Sequence, residues 1–166
     1  MMRVLAGLLA LSVAAPALAQ MPEDACYAMR LTPHDLAQQP ERGVQALYVH
    51  FVALRDFEES SKGPWRHLRI SAVMADQGQG ARDGAVGATL TQVAECRTGD
   101  MLCWAYDNTS FLTVQVRSAQ VLELRTDDFV VADFGESMMA SNLAETIGQE
   151  SVYTLFRLND GPCPVE

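Results

Sequence analysis

The side chains in this sequence with the most evident chemistry are four cysteines: Cys26, Cys96, Cys103 and Cys163. There is no C-x-x-C and no pair of histidines at ligand spacing, so a zinc site has little support. An even number of cysteines in an exported chain reads instead as two disulfides, with reduced thiols as the alternative. Three connectivities are open, and spacing favours one. Between Cys96 and Cys103 lies R-T-G-D-M-L. A two-residue type II′ turn at Gly99-Asp100 places Thr98 opposite Met101, Arg97 opposite Leu102 and Cys96 opposite Cys103. That register makes the cysteines a hydrogen-bonded pair with Cα atoms ~5.5 Å apart, a separation that can hold a disulfide. By elimination Cys26 then pairs with Cys163. In the chain-entropy model the long loop contributes roughly 5 kcal/mol and the hairpin loop about 2.5 kcal/mol.

The remaining reactive groups do not assemble into a catalytic set. His34 adjoins Asp35, but sequence neighbours on a helix point apart. His50 sits in a very apolar run and reads as a buried, hydrogen-bonded structural residue. His67 falls on the polar face of an alternating segment and reads as solvated. No G-x-S-x-G is present. The acid pairs Glu58-Glu59 and Asp127-Asp128 lie in expected turns. Asp127, Asp128, Asp133 and Glu136 lack the spacing and central glycine of a calcium loop. The segment from Gly78 to Gly84 lacks the Lys-Ser/Thr of a phosphate loop. Met138-Met139 reads as core packing rather than soft-metal binding. Asn108-Thr109-Ser110 is a glycosylation sequon, which matters only in a eukaryotic secretory pathway. Trp65, Tyr106 and Phe111 lie near expected loops, where aromatics serve either sheet packing or an interaction surface. The expected catalytic, cofactor and metal residues are therefore none.

The elements that position these groups follow an export leader. Met1, Met2 and Arg3 precede twelve uncharged residues, then Pro16 and Ala17-Leu18-Ala19. A positive start, a short apolar run and an A-x-A site make residues 1–19 a cleavable signal peptide; the run is too short to span a bilayer. Cys26 follows Glu23-Asp24-Ala25, which is not a lipid-attachment pattern. Residues 20–166 then form one domain.

The leader carries one base and no acid, so its removal makes the net charge of −9 more negative by one. Such a chain is not drawn to nucleic acid or to anionic membranes. Its dispersed acids serve solubility or a basic partner.

Thr32-Pro33-His34-Asp35 reads as a helix start with a Thr cap and Pro in the first turn. Residues 44–54 read as a strand buried on both faces. Residues 65–74 alternate, with Leu68, Ile70, Ala72 and Met74 on the inner face. Residues 77–84, with three glycines, read as a mobile loop. Further strands are expected at 85–96, 101–106, 111–116, 119–125, 129–134 and 152–158. Met139, Leu143 and Ile147 recur at helical spacing before Gly148, predicting a second helix over 138–147. The fold class is thus mainly β: an antiparallel sandwich or small barrel of seven to eight strands with two short helices.

The run Cys26-Tyr27, Leu31-Thr32-Pro33-His34-Asp35-Leu36-Ala37, Pro40, the Cys96 and Cys103 pair and the closing Phe156-Arg157-Leu158 before Cys163 resembles a loose group of short exported bacterial proteins of unknown function. Members of that group carry further cysteines near the positions of Tyr106 and Gly135, which this chain lacks. The resemblance implies export and a compact cysteine-bearing domain, and no activity.

These readings describe a periplasmic or secreted, non-enzymatic binding module. Its partner is an unknown protein or small molecule, and one concrete form is an inhibitor of a basic partner such as a cell-wall hydrolase. The alternatives are a small barrel carrying an apolar ligand and a hydrolase using His50 or His67.

Overall fold

A computed structural model describes residues 25–52, 65–97, 99–105, 110–133, 135, 138–159 and 163–164. The expected leader, Glu58-Glu59, Tyr106, most of the sequon and Glu136 lie outside these residues.

The chain is a closed antiparallel barrel of eight strands. Of strands β1 (Cys26–Arg30), β2 (Val44–Val52), β3 (Trp65–Met74), β4 (Thr89–Arg97), β5 (Leu102–Ala105), β6 (Phe111–Ser118) and β7 (Val121–Asp128), each of the first six pairs with the next in sequence. A two-stranded flap, β8 (Val130–Ala132) and β9 (Ala140–Asn142), follows. The last strand, β10 (Ser151–Arg157), then runs between β7 and β1 and closes the ring. This is an up-and-down meander, which leaves the barrel proper without free edges.

The two-residue period predicted for β3 appears all round the wall. Leu68, Ile70, Ala72 and Met74 of β3, Leu122 and Leu124 of β7, and Tyr153 and Leu155 of β10 are fully buried inside. Their outward neighbours include Arg69, Glu123, Arg125 and Thr154, polar residues suited to the wet face of a sheet, together with apolar Val152 and the exposed Phe156. Strand β2 obeys the same rule. Leu47, Val49 and Phe51 fill the interior, while Tyr48 and His50 face outward and are half-buried. The expectation that β2 is buried on both faces is therefore corrected, and His50 is not a core residue.

One end of the barrel is capped by helix α1 (Pro33–Ala37), helix α2 (Gly78–Arg82) and the flap. Helix α1 starts as its sequence predicts. Thr32 accepts from the Asp35 amide, and the Asp35 carboxylate accepts from the Thr32 amide at 2.9 Å, a reciprocal capping box. Helix α2 replaces the mobile loop expected over 77–84. Its glycines permit backbone contact rather than motion. A Cβ on Gly78, whose φ is +55°, would stand 2.2 Å from the Glu41 carbonyl oxygen, and one on Gly43 would stand 2.7 Å from the Gly80 nitrogen. The chain before β2 and helix α2 thus pack backbone to backbone.

The helix expected over 138–147 does not form. Met138 is left-handed (φ 50°), Ala140–Asn142 pair with β8, and turns follow. The four-residue spacing misleads because only Leu143 of its three apolar residues is core, whereas Ile147 is 60% exposed. Asn142 organises this segment. Its side-chain oxygen accepts from the Phe129 and Ala144 amides and its amide donates to Asp128. Strand β8 takes the edge of β4 beyond the point where the short β5 stops, pairing Thr91 with Ala132. Its partner β9 is tied to the residue after α2, with the Ser141 hydroxyl donating to the Asp83 carboxylate at 2.7 Å.

The opposite end carries both disulfides. Cys96 and Cys103 are joined in the predicted register, Cys96 opposite Cys103. The turn is not the tight one expected. The Met101 amide donates to the Arg97 carbonyl and Met101 is left-handed (φ 57°). This longer turn shifts the hydrogen-bonding phase by one residue. The cysteine Cα atoms come to 3.9 Å, closer than the hydrogen-bonded spacing, as in a non-hydrogen-bonded pair. Cys26 and Cys163, 137 residues apart, are joined with Cα atoms 5.5 Å apart. No helix among the described residues is long and apolar enough to cross a membrane.

Candidate binding surface

An eight-stranded barrel is just wide enough inside to be filled by its own side chains or to hold one small ligand. Here it is filled. Tyr27, Leu47, Leu68, Ile70, Met74, Leu90, Leu112, Leu122, Leu124 and Tyr153 all have essentially no exposure. Two tyrosines reach from this core to its two ends. The Tyr27 hydroxyl donates to the Ala119 carbonyl at 3.3 Å, and the Tyr153 hydroxyl donates to the Leu143 carbonyl in the flap connection. Burial pushes both phenols upward in pKa.

Above Tyr153 the cap is held by charge. The Arg42 guanidinium lies 4.6 Å from the Tyr153 ring centroid. Its Nε stands 2.8 Å from the Glu145 carboxylate, at an angle that makes the contact a charge pair rather than a hydrogen bond to that oxygen. Glu145 is placed by the Ser151 hydroxyl, which accepts from its amide at 2.7 Å.

Chemistry available to a partner therefore lies on the outer wall. The register sets one row across it: His67, Glu95, Trp104 and Phe111 stand side by side on β3 to β6. His67 thus faces Glu95, and His50 faces Arg69, as cross-strand neighbours. His67 is half-buried, with a ring nitrogen that is covered and unbonded, rather than solvated. His34 stays exposed on α1 beside Gln38. Asp128 is committed to Asn142, and Asp133 to the amide of Gly135. Among the described residues no three His, Cys, Asp or Glu side chains are grouped to hold a metal ion.

The row ends at a groove. Phe111, 44% exposed, forms its wall together with Thr113, Arg125, Thr126, Asp127 and Glu150. Its volume of about 120 Å³ is below the ~300–1,000 Å³ of small-molecule sites and fits one inserted side chain. Its charges are ordered. Arg125 donates to Glu150 at 2.8 Å and to Glu123 at 3.1 Å, and Arg117 donates to Glu123 at 2.6 Å. The hydrogen bonds from Arg117 and Arg125 hold the Glu123 carboxyl below its ordinary pKa. The Gly148 amide donates to the Asp127 carbonyl at 2.8 Å.

Of the aromatics picked out by sequence, Phe111 belongs to this surface, Trp65 is the first residue of β3, opposite Arg97 of β4, and Tyr106 is outside the described residues. Trp104 escapes the sequence reading, although its alternation with the cysteine on its own strand marks it as outward-facing. Glu150 and Arg125 join only because β10 returns beside β7, and neither spacing nor residue type in the sequence marks that contact.

Compared with known proteins, the chain matches no family model, no curated protein and no solved structure.

Proposed function

We propose that the protein is an exported, non-enzymatic binding module that recognises a basic partner protein through the outer wall around Phe111. The reading rests chiefly on one observation: the barrel interior is occupied by its own side chains, so recognition falls to the surface. On that surface an exposed aromatic residue borders a groove with two carboxylates, Asp127 and Glu150. Exposed aromatics beside charged groups are what protein interfaces use as anchors. The net charge of −9 favours a partner of opposite sign and speeds encounter. Two disulfides and the lack of a long apolar helix among the described residues are compatible with life in the periplasm or outside the cell. Export itself rests on the leader at residues 1–19.

The test is capture of envelope proteins on the immobilised, disulfide-bonded protein at low and high salt. Basic partners should be retained at low salt and released as salt screens the charges. The double variant Phe111→Ala, Glu150→Lys should lose them. Capture that ignores both salt and this variant would remove the proposal.

A further inference from the structure

The outer wall is divided in charge. Four neighbouring strands, β3, β2, β1 and β10 in sheet order, hold not one Asp or Glu, and Arg30, Arg69, His50 and His67 fall at their outward positions. The other four, β7, β6, β5 and β4, carry Glu95, Glu123, Asp127 and Asp128. Their arginines Arg97, Arg117 and Arg125 are each ion-paired to a carboxylate of the same molecule. Half the wall of an acidic protein is therefore free of acid.

Within that half, Arg69 is engaged by another group. Arg30 is exposed, and among the described residues no carboxylate stands within ion-pair distance of it. Its guanidinium is already placed. It lies 5.3 Å from the Tyr48 ring centroid, and its Nε donates to the Tyr48 hydroxyl at 3.1 Å. Beside it the register sets Ala28 between Phe156 on β10 and Tyr48 on β2. Phe156 presents 60% of its surface to solvent. Arg30 follows Ala28 by two residues on the same face of β1. An exposed apolar ring, a second ring and a pre-placed guanidinium thus line one patch, on the half of the wall that has no acid to repel an anion.

We propose that this patch docks a short carboxylate-bearing peptide segment of a partner protein, with an apolar side chain on Phe156 and a carboxylate on Arg30. Planar guanidinium groups favour carboxylates, and one held in place by Tyr48 loses less entropy on binding. Charge range selects the occupant. A net charge of −9 repels long polyanions and anionic bilayers, which meet the field of the whole molecule. Screening over ~8–10 Å lets a short segment meet only the local wall. This site is separate from the groove at Phe111, and either can stand without the other.

The experiment is an NMR titration of the disulfide-bonded protein, labelled with nitrogen-15. The probe is a blocked pentapeptide of four glutamates around a central leucine. The expected result is amide shifts confined to β10, β1 and β2, at least tenfold weaker binding in Arg30→Glu and in Phe156→Ser, and unchanged binding in Arg117→Glu on the opposite wall. Far-ultraviolet circular dichroism of each variant should overlay the parent. Equal affinity in the parent and Arg30→Glu overturns the proposal, as do shifts centred on β6 and β7. Tighter engagement of the same patch by heparin or by phosphatidylglycerol vesicles also overturns it, because the occupant is then a polyanion or a membrane.

Discussion

Replacing Tyr153 by Phe removes one oxygen from the centre of the molecule and leaves the ring in place. Its size, its position opposite Leu124 in the ladder, and its contact with the Arg42 guanidinium at 4.6 Å are retained. What changes is the Leu143 carbonyl, which accepts the Tyr153 hydroxyl in a residue only 1% exposed. A buried acceptor stripped of its donor costs about 1–3 kcal/mol. For a domain of this length each kcal/mol moves the midpoint by about 2–4 °C, so the melting temperature should fall by about 2–12 °C. Tyr27→Phe is the matched control. Its bond to Ala119 is longer, at 3.3 Å, and Ala119 is exposed. Water can replace it, and the cost should stay below ~1 kcal/mol. Thermal unfolding followed by circular dichroism, with the disulfides intact, measures both. Amide exchange should also quicken at Leu143, Ala144 and Glu145 in the Tyr153 variant alone. Equal effects from the two substitutions would refute the argument, since they would show that burial of the acceptor does not set the cost.

Other expectations are as direct. Asp100 is held at a pKa of about 2, against 3.8 ordinarily, chiefly by its hydrogen bonds from the Arg97 side chain. A folded pKa below the unfolded one gives stability that is present above pH ~4 and lost as pH falls toward 2. Asp100→Asn should therefore flatten the acid dependence of the unfolding midpoint in that window, and an unchanged profile would contradict it. Gly78→Ala should destabilise well beyond Gly87→Ala in denaturant titrations. Both glycines are left-handed (φ +55° and +71°), but only at Gly78 does the new Cβ meet backbone, at 2.2 Å; Gly87→Ala should cost about 1 kcal/mol. Removing Cys26 and Cys163 together should lower stability more than removing Cys96 and Cys103, roughly 5 against about 2.5 kcal/mol in the chain-entropy model. The reverse order would show that the small loop matters through native packing, since Cys96 and Cys103 are fully buried.

Alternation was the most legible feature of the sequence. It fixed the inner face of β3 and the all-β class, because a period of two survives wherever one face of a sheet is wet, while the pairing of Cys96 with Cys103 was legible from their spacing about a hairpin turn. The start of α1 was legible because capping is chemistry between residues three apart. What failed was local in sequence but decided by distant chain. Glycines 78, 80 and 84 looked like a loop because close backbone approach by the segment at Gly43 leaves no trace in their own neighbourhood. The apolar spacing of Met139, Leu143 and Ile147 imitated a helix, and pairing with β8, itself laid against β4, explains why residues 140–142 are a strand instead. Of the groove, Phe111 and Asp127 drew notice in the sequence, but as an aromatic near a loop and an acid in a turn, not as one site. Its Arg125 lies on β7 and its Glu150 just ahead of β10, and these strands become neighbours only after the flap that separates them in sequence.

The bridge between Cys26 and Cys163 has a mechanical meaning. The two sulfurs link the first and last strands' flanks across 5.5 Å between Cα atoms, on the end of the barrel away from the flap. Tension applied through chain continuing beyond either cysteine passes from one flank to the other through a single covalent link. The eight-stranded wall hangs from that link as a side load and bears none of the pull. While the bridge is oxidised, the domain can sit in series with a tether and keep its binding faces undeformed. Its resistance to force is then set by sulfur chemistry and not by the strength of its hydrogen-bonded ladders.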